Sequence, residues 1–227
     1  MKFVVTAGPT REHLDPVRFL SNPSTGKMGF AVARAAAMRG HEVVLVAGPV
    51  SLKTPKGVRR IDVTSAREML AAVEEEMSKA KSGKPTVFVA TAAVADWRPA
   101  KCAARKLKKG QMSDTLKLVR NPDILKEIGR RTKTVHSSTR PLTHSPTYLV
   151  GFAAETNDVI AEARRKCREK NLDMIVANDV TEKGSGFGVD TNRVTFVRKD
   201  GSVDRLPLMT KLAVARRIVR ECEDLCP

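Results

Sequence analysis

The chain has 227 residues, of which 41 % are hydrophobic, so a sizeable core can be buried in one large domain or two small ones. With 41 Lys and Arg against 25 Asp and Glu, the formal net charge of +16 asks for an anionic partner. Aromatic residues at 4 % are too few for a stacking platform along a single nucleic-acid strand, and no apolar run reaches membrane-spanning length.

The opening "MKFVVTAGPT" is too short an apolar run for a signal-peptide core, which points to the cytoplasm. Within it, "KFVVTAG" reads as a first strand, and "GKMGFAVARAAAMRG" reads as an Ala-rich helix stopped at Gly40. "HEVVLVAGP" is a second strand and "VRRIDV" a short third. "SAREMLAAVEEEMSKAK" is a helix with Ser65 as N-cap and Glu68 completing a capping box. "TVFVATAAVAD" is apolar enough to be buried on both faces. Next come the helix "NPDILKEIGRR", the strand "TYLVGFAAET", the helix "NDVIAEARRKCREKN" and the strand "LDMIVANDV". "NRVTFVRKDGSVDRLPL" is a hairpin turning at Asp200-Gly201, and "TKLAVARRIVRECEDL" is a closing helix.

Strands alternating with helices predict an α/β fold: a Rossmann-like, doubly wound, mostly parallel sheet with helices on both faces. The chain is expected to form one domain over 1–227. Two irregular pieces interrupt it. In the first, about 97–118, "RKLKK" and "TLKLV" are expected to pair as a projecting ribbon. The second, about 132–147, is Ser/Thr/Pro-rich and reads as a surface loop. Cys102, Cys167, Cys222 and Cys226 show no C-x-x-C spacing, and the four histidines form no ligand pair, so reduced thiols and no metal ligands are expected.

The Gly-Lys pair at Gly26-Lys27 invites a phosphate-loop reading, but Ser21 and Met28 stand where a Walker A loop needs Gly and Ser or Thr. The dinucleotide fingerprint fails too, because position 24 is Ser. About fifteen residues separate the first strand from its helix, far more than in an ordinary Rossmann turn. In an open parallel sheet ligands sit beyond the carboxyl ends of the strands. There this sequence has Gly8, then Ala92-Ala93 and Asp96, then Gly151-Phe152, then Asn178. Small residues admit a ligand to the backbone, and helix N-termini offer N–H groups to phosphate. The same residues also serve as plain tight-packing turns. Asn22 is able to hydrogen-bond a carbonyl or phosphoryl oxygen, or to serve only as a turn or cap. Lys106 to Lys109 suit charge neutralisation at a departing pyrophosphate, or form a solvated basic face.

"VTAGPTREHLDPVRFLSNPSTGKMGFAVA", "AAVADWRP", "KLKK", "LVRNPDIL", "VGFAAET", "KNLDMIVANDV" and "GFGVDTNRVTFV" follow one another in this order. Together they resemble the phosphopantothenate–cysteine ligase family (phosphopantothenoylcysteine synthetases) of coenzyme A biosynthesis, in its bacterial form, over about Val4 to Leu208. The resemblance implies a two-step reaction. The carboxylate of 4′-phosphopantothenate attacks the α-phosphate of CTP, giving an acyl nucleotidylate and pyrophosphate. L-cysteine then forms the amide and releases CMP. It implies Mg2+ with the nucleotide, a homodimer, and a flavin-dependent decarboxylase as a separate partner or fused half that this chain lacks.

By the same resemblance, Gly8, Ser24, Gly26 and Gly29 line the triphosphate, and Asn22 holds the acyl intermediate. Ala92, Ala93 and Asp96 surround the pantothenate moiety and nucleotide. Arg18 reaches the substrate of the other subunit, and Lys106 opens a flexible K-x-K-K flap that acts in catalysis. Pro122, Asp123, Ile124, Leu125, Phe152, Lys166, Lys170 and Asn178 surround the nucleotide. Departures are Trp97 in place of Tyr or Phe, a long 132–147 loop, and an excess of basic charge.

Two other readings compete. An NAD(P)-linked Rossmann oxidoreductase predicts a Gly fingerprint in a short first turn and a charged selector after the second strand, where Ala47-Gly48-Pro49 stands instead. A basic nucleic-acid-binding domain predicts salt-sensitive binding to duplex or single strands.

Overall fold

The computed structural model describes residues 1–80, 83–108, 114–133, 146–155 and 157–226. Its centre is β1 (Lys2–Ala7), every residue of which is buried. Phe3, Val5 and Ala7 enter one hydrophobic cluster and Val4 the other, as the two-residue period of a strand requires. After β1 the chain forms a small antiparallel hairpin, β2 (Arg11–His13) with β3 (Phe19–Ser21). It then enters α1 (Lys27–Met38) and returns as β4 (Glu42–Ala47), parallel to β1. Gly40 lies in the left-handed region at φ 81°, as a helix stop demands.

A ten-residue stretch without helix leads to β5 (Val58–Asp62), parallel to β4. α2 (Ala66–Ser78) starts where Ser65 accepts from the Glu68 N–H. The Glu68 carboxylate in turn accepts from the Thr64 N–H at 2.8 Å, so the capping box closes one residue further out than expected. β6 (Thr86–Ala90) then lies on the other side of β1. Past it run the ribbon β7 (Trp97–Pro99) with β8 (Leu118–Arg120), α3 (Ile124–Lys133), β9 (Thr147–Glu155), α4 (Val159–Glu169) and β10 (Met174–Asp179). β11 (Thr191–Asn192), β12 (Thr195–Arg198), β13 (Val203–Arg205) and β14 (Met209–Thr210) precede α5 (Lys211–Asp224).

The main sheet has eight strands in the order β13-β12-β10-β9-β6-β1-β4-β5. The last six of that order are mutually parallel, and the β12–β13 hairpin is antiparallel at the edge. α1 and α5 pack side by side over one face, while α2, α3 and α4 cover the other. The Rossmann-like expectation therefore holds, including the C-terminal hairpin. The chain moves outward from β1 through β4 to β5, then crosses back to β6. The sheet thus has a topological switch point between β1 and β6, the place where such sheets bind ligands.

The projecting ribbon is present, but its pairing differs from the expectation. Trp97, Arg98 and Pro99 pair with Arg120, Val119 and Leu118. Arg105 to Lys108 are not in a strand. The short β7 segment already sits opposite Leu118, which leaves the lysines in the arch of the ribbon rather than in its ladder. Lys109 and Gly110 lie outside the described residues, as does 134–145 of the Ser/Thr/Pro-rich stretch. That stretch begins inside α3, where the Thr132 hydroxyl donates to the Ile128 carbonyl at 2.9 Å. No described helix is long and apolar enough to cross a membrane. All four cysteines are free; Cys222 is buried in α5, where burial pushes its thiol well above the usual range.

Candidate active site

The carboxyl ends of β1, β6, β9 and β10 open into one cavity of about 430 Å³. Its floor is the segment after β6, which is stitched to the segment after β1. The Thr91 hydroxyl donates to the Thr6 carbonyl at 2.5 Å, and the Ala93 N–H donates to the Gly8 carbonyl at 2.9 Å. The Ala95 N–H reaches the Thr10 hydroxyl at 3.0 Å, and the Asn121 side chain donates to the Ala95 carbonyl at 2.8 Å. These bonds let the sheet fix Ala92, Ala93 and Asp96 without a helix of their own.

Asn22, Ser24, Gly26 and Gly29 form the wall on the α1 side. Gly26 caps α1 in the left-handed conformation, φ 78°. Gly29 serves close packing as well as the cavity. A Cβ there would sit 2.3 Å from Thr91 Oγ1 and 2.9 Å from the Thr6 carbonyl oxygen, so α1 approaches the sheet only without one. Asn22 donates its Nδ2 to the carbonyls of Ala93 at 3.1 Å and Val94 at 3.2 Å. Its donor side is thus spent on holding the floor, and its carbonyl oxygen is what remains for a ligand.

The opposite wall combines the α3–α4 side of the sheet with the ends of β9 and β10. Pro122, Asp123, Ile124 and Leu125 lead into α3, while Phe152 on β9 packs toward the α1–α5 cluster and Asn178 stands on β10. Lys166 and Lys170 project from α4 and its end. Lys170 pairs with Asp123 at 2.8 Å, and Lys166 pairs with Glu155. These pairs brace the two cations beside the cavity.

Three anticipated residues do not line it. Gly8 stands behind Gly26: a Cβ on Gly26 would meet the Gly8 N at 3.3 Å. Lys106 is exposed on the ribbon arch. Arg18 turns toward the ribbon. Its guanidinium donates to the buried Asp15 carboxylate at 3.0 Å from Nε and 2.5 Å from Nη2, and to the Leu107 carbonyl at 2.9 Å. Asp15 also accepts from the Leu107 N–H at 3.2 Å. The Arg18 guanidinium beside Asp15 holds its carboxyl far below the usual carboxylate range. This clasp ties the segment carrying Lys106 and Lys108 to the tip of the β2–β3 hairpin.

Sequence reasoning missed a third group: Lys27, Asn192 and Lys211. Lys27 and Lys211 are the first residues of α1 and α5, and both helices begin at the cavity. Lys27 stood in plain view in the Gly-Lys pair. Nothing local to "MTKLAV" or "VDTNRV" marks the other two; only the packing of α5 beside α1 brings them in. Among the described residues no cluster of three or more His, Cys, Asp or Glu side chains could hold a metal ion.

The DNA/pantothenate metabolism flavoprotein C-terminal domain family matches residues 1–225. The chain is 48 % identical over 220 residues to the coenzyme A biosynthesis bifunctional protein CoaBC of Vibrio cholerae, covering 96 % of this chain and 51 % of that protein. It is 48 % identical over 219 residues to CoaBC of Bacillus subtilis, covering 96 % of this chain and 50 % of that protein. The chain thus spans about half the length of these curated relatives. The crystal structure of the C-terminal domain of a CoaBC protein superposes with a TM-score of 0.77 at 41 % identity, covering 99 % of this chain and 94 % of that one. This chain belongs to the DNA/pantothenate metabolism flavoprotein C-terminal domain family.

Proposed function

We propose that this chain is one phosphopantothenate–cysteine ligase unit, acting in coenzyme A biosynthesis in the cytoplasm. The observation that carries the reading is the cavity at the switch point. It gathers fifteen of the eighteen positions anticipated from the resemblance, within a chain whose relatives are coenzyme A biosynthesis proteins over nearly its whole length. The substrates of this reading, 4′-phosphopantothenate and a nucleoside triphosphate, are both anionic, and the cavity carries Lys27, Lys166, Lys170 and Lys211.

In the first step the substrate carboxylate bonds to the α-phosphorus of CTP and the bond to the β-phosphate oxygen breaks, releasing pyrophosphate. In the second, the amine of L-cysteine attacks the acyl carbon, loses a proton to solvent, and CMP leaves. The carboxylate attacks already ionised, so the site's task is to position reactants and offset charge. The floor at Ala92 and Ala93, pinned by Asn22, orients the pantothenate end. The α3–α4 wall takes the nucleotide, with Phe152 beside it. Lys106, held near the hairpin by the Asp15–Arg18 clasp, supplies positive charge during the first step. Mg2+ belongs here as the counter-ion of the nucleotide.

The homodimer expectation is supported by an apolar surface. Val17, Phe19, Trp97, Leu116 and Leu118 are exposed on the two small ribbons, which lie against each other. A dimer through this surface would bring the Arg18 of one subunit toward its neighbour. A flavin-dependent decarboxylase is the expected partner, in keeping with relatives that are bifunctional proteins of about twice the length of this chain.

The test is product formation from 4′-phosphopantothenate, L-cysteine and Mg2+ with CTP, read by mass spectrometry. The amide with stoichiometric CMP is expected. Amide formation with ATP but not CTP would correct the base assignment; no amide with either nucleotide would reject the ligase.

A further inference from the structure

Asp15 stands at the tip of the β2–β3 hairpin, outside the cavity, and is fully buried. Its two carboxylate oxygens have different partners. Oδ1 accepts from the N–H groups of Val17 and Arg18, each at 2.9 Å, and so closes the turn. An asparagine closes such a turn equally well. The negative charge is called for by the partners of Oδ2, which accepts from Arg18 Nε at 3.0 Å, from Arg18 Nη2 and from the Leu107 N–H at 3.2 Å.

The arch of the ribbon has no ladder to place it, since residues 100–108 lie in neither strand nor helix. Backbone groups of the arch bond instead to the hairpin tip. The Ala103 N–H donates to the Leu14 carbonyl at 2.8 Å. Leu107 is held at both of its backbone groups: its N–H by Asp15, and its carbonyl by Arg18 Nη2 at 2.9 Å. That N–H belongs to the peptide bond joining Lys106 to Leu107, so the hold acts directly on the backbone that carries Lys106. Fixing the backbone beside an exposed lysine removes much of the freedom its ammonium would otherwise have to lose during reaction.

We propose that Asp15 is the positioning residue of the lysine arch. Through its own bond to the Leu107 N–H, and through Arg18, it sets the backbone of Lys106 and so prepares that lysine for the first step. The assignment rests on the ligase reading. Asp15 touches no reacting atom, and in this role Arg18 acts within its own chain. Lys106 offsets charge on departing pyrophosphate, so the effect of Asp15 belongs to the first step and not to amide formation, in which no pyrophosphate leaves.

The test compares the wild type, Asp15→Asn, Lys106→Gln and the double variant. Pyrophosphate released in a single turnover is measured with CTP, Mg2+ and 4′-phosphopantothenate. In Asp15→Asn the turn keeps its Oδ1 acceptor, while an amide NH2 replaces Oδ2 and faces three donors. The burst should slow about tenfold to a hundredfold, the scale of misplacing a positioned group. The double variant should be no slower than Lys106→Gln alone, because a residue that acts through Lys106 then has nothing to act on. Conversion of accumulated acyl nucleotidylate to amide on adding L-cysteine should keep its wild-type rate in Asp15→Asn. Hydrogen exchange, which needs no turnover, should show the Leu107 amide protected in the wild type and exchanging about tenfold or more faster in Asp15→Asn. If Asp15→Asn fails to fold, Leu107→Pro removes the same bond from the ribbon side and is held to the same kinetic criteria. An unchanged burst, slowing that adds to that of Lys106→Gln, equal slowing of both steps, or an unprotected Leu107 amide in the wild type overturns the proposal. A wild type with a protected Leu107 amide but no phosphopantothenate-dependent burst would instead reject the ligase reading, and the catalytic role of Asp15 with it.

Discussion

At the scale of single residues, the strand-end pattern was a good guide to place and a poorer guide to purpose. Asn22 was legible as a polar side chain in an unusually long loop, and it does lie in the cavity. That its amide nitrogen is committed to Ala93 and Val94 depends on one chain segment whose two residues lie 71 and 72 positions away, which no local pattern encodes. Asn22→Asp should therefore act in two ways: it removes a donor from the floor and sets a carboxylate against two carbonyl oxygens. The expected result is loss of pyrophosphate release by about a hundredfold, the scale of losing one preorganised polar group in such a site. Steady-state kinetics with a folded variant, verified by circular dichroism, checks this; near-normal turnover would remove Asn22 from the mechanism. Gly29 shows the reverse case. The family resemblance implies a ligand contact for it, and it does line the cavity, yet the contacts of a hypothetical Cβ show a helix–sheet packing constraint as well. Gly29→Ala should lower unfolding free energy by about 1–3 kcal/mol through overpacking, measured by urea denaturation.

At the scale of elements, the main strands and helices were readable because apolar periodicity and Gly or cap signals agree with the packing they produce. The β2–β3 hairpin and the short β11–β14 pair were not. Their strands are two or three residues long, too short for periodicity to show, and they form because tertiary neighbours supply the ladder. Another feature invisible in the sequence joins α2 to the start of β1. Glu76, 1 % exposed, sits among Lys2, Lys79 and Arg59. Burial alone would raise its pKa. Hydrogen bonds from Lys79 and Arg59, with the charges of Arg59 and Lys2, outweigh burial and hold it below the ordinary glutamate value.

A carboxylate whose folded pKa is depressed contributes stability above its unfolded pKa and loses it as pH falls through the folded value. Glu76→Gln should thus cost about 3 kcal/mol at neutral pH, since it leaves three cations around a neutral buried group. The difference from wild type should shrink as pH drops below about 4.5, where the unfolded chain takes up the proton first, and be lost once pH falls through the lower folded value, where Glu76 itself becomes protonated. Thermal melts of both proteins across that range test it; a difference that stays constant would mean that the cations stabilise α2 through something other than the Glu76 charge.

At the scale of the whole molecule, the order of strands makes the site. The switch between β1 and β6 opens the cavity, and the residues that fill it come from both faces of the sheet. The doubly wound architecture followed from alternating strands and helices, but the packing of α5 beside α1 did not, and with it the Lys211 and Asn192 corner stayed hidden. The net charge of +16 has a local counterpart in that cavity, although most of the basic residues lie elsewhere and their number has no structural explanation here.

The central claim, nucleotidyl transfer to a pantothenate carboxylate, is tested most directly by pyrophosphate release in the absence of L-cysteine. The wild-type chain is mixed with Mg2+ and CTP or ATP, with and without 4′-phosphopantothenate, and released pyrophosphate is measured over a single turnover. A burst that requires phosphopantothenate and is faster with CTP is the predicted result. Pyrophosphate released equally without phosphopantothenate, or released only once cysteine is added, would contradict an acyl-nucleotidylate route.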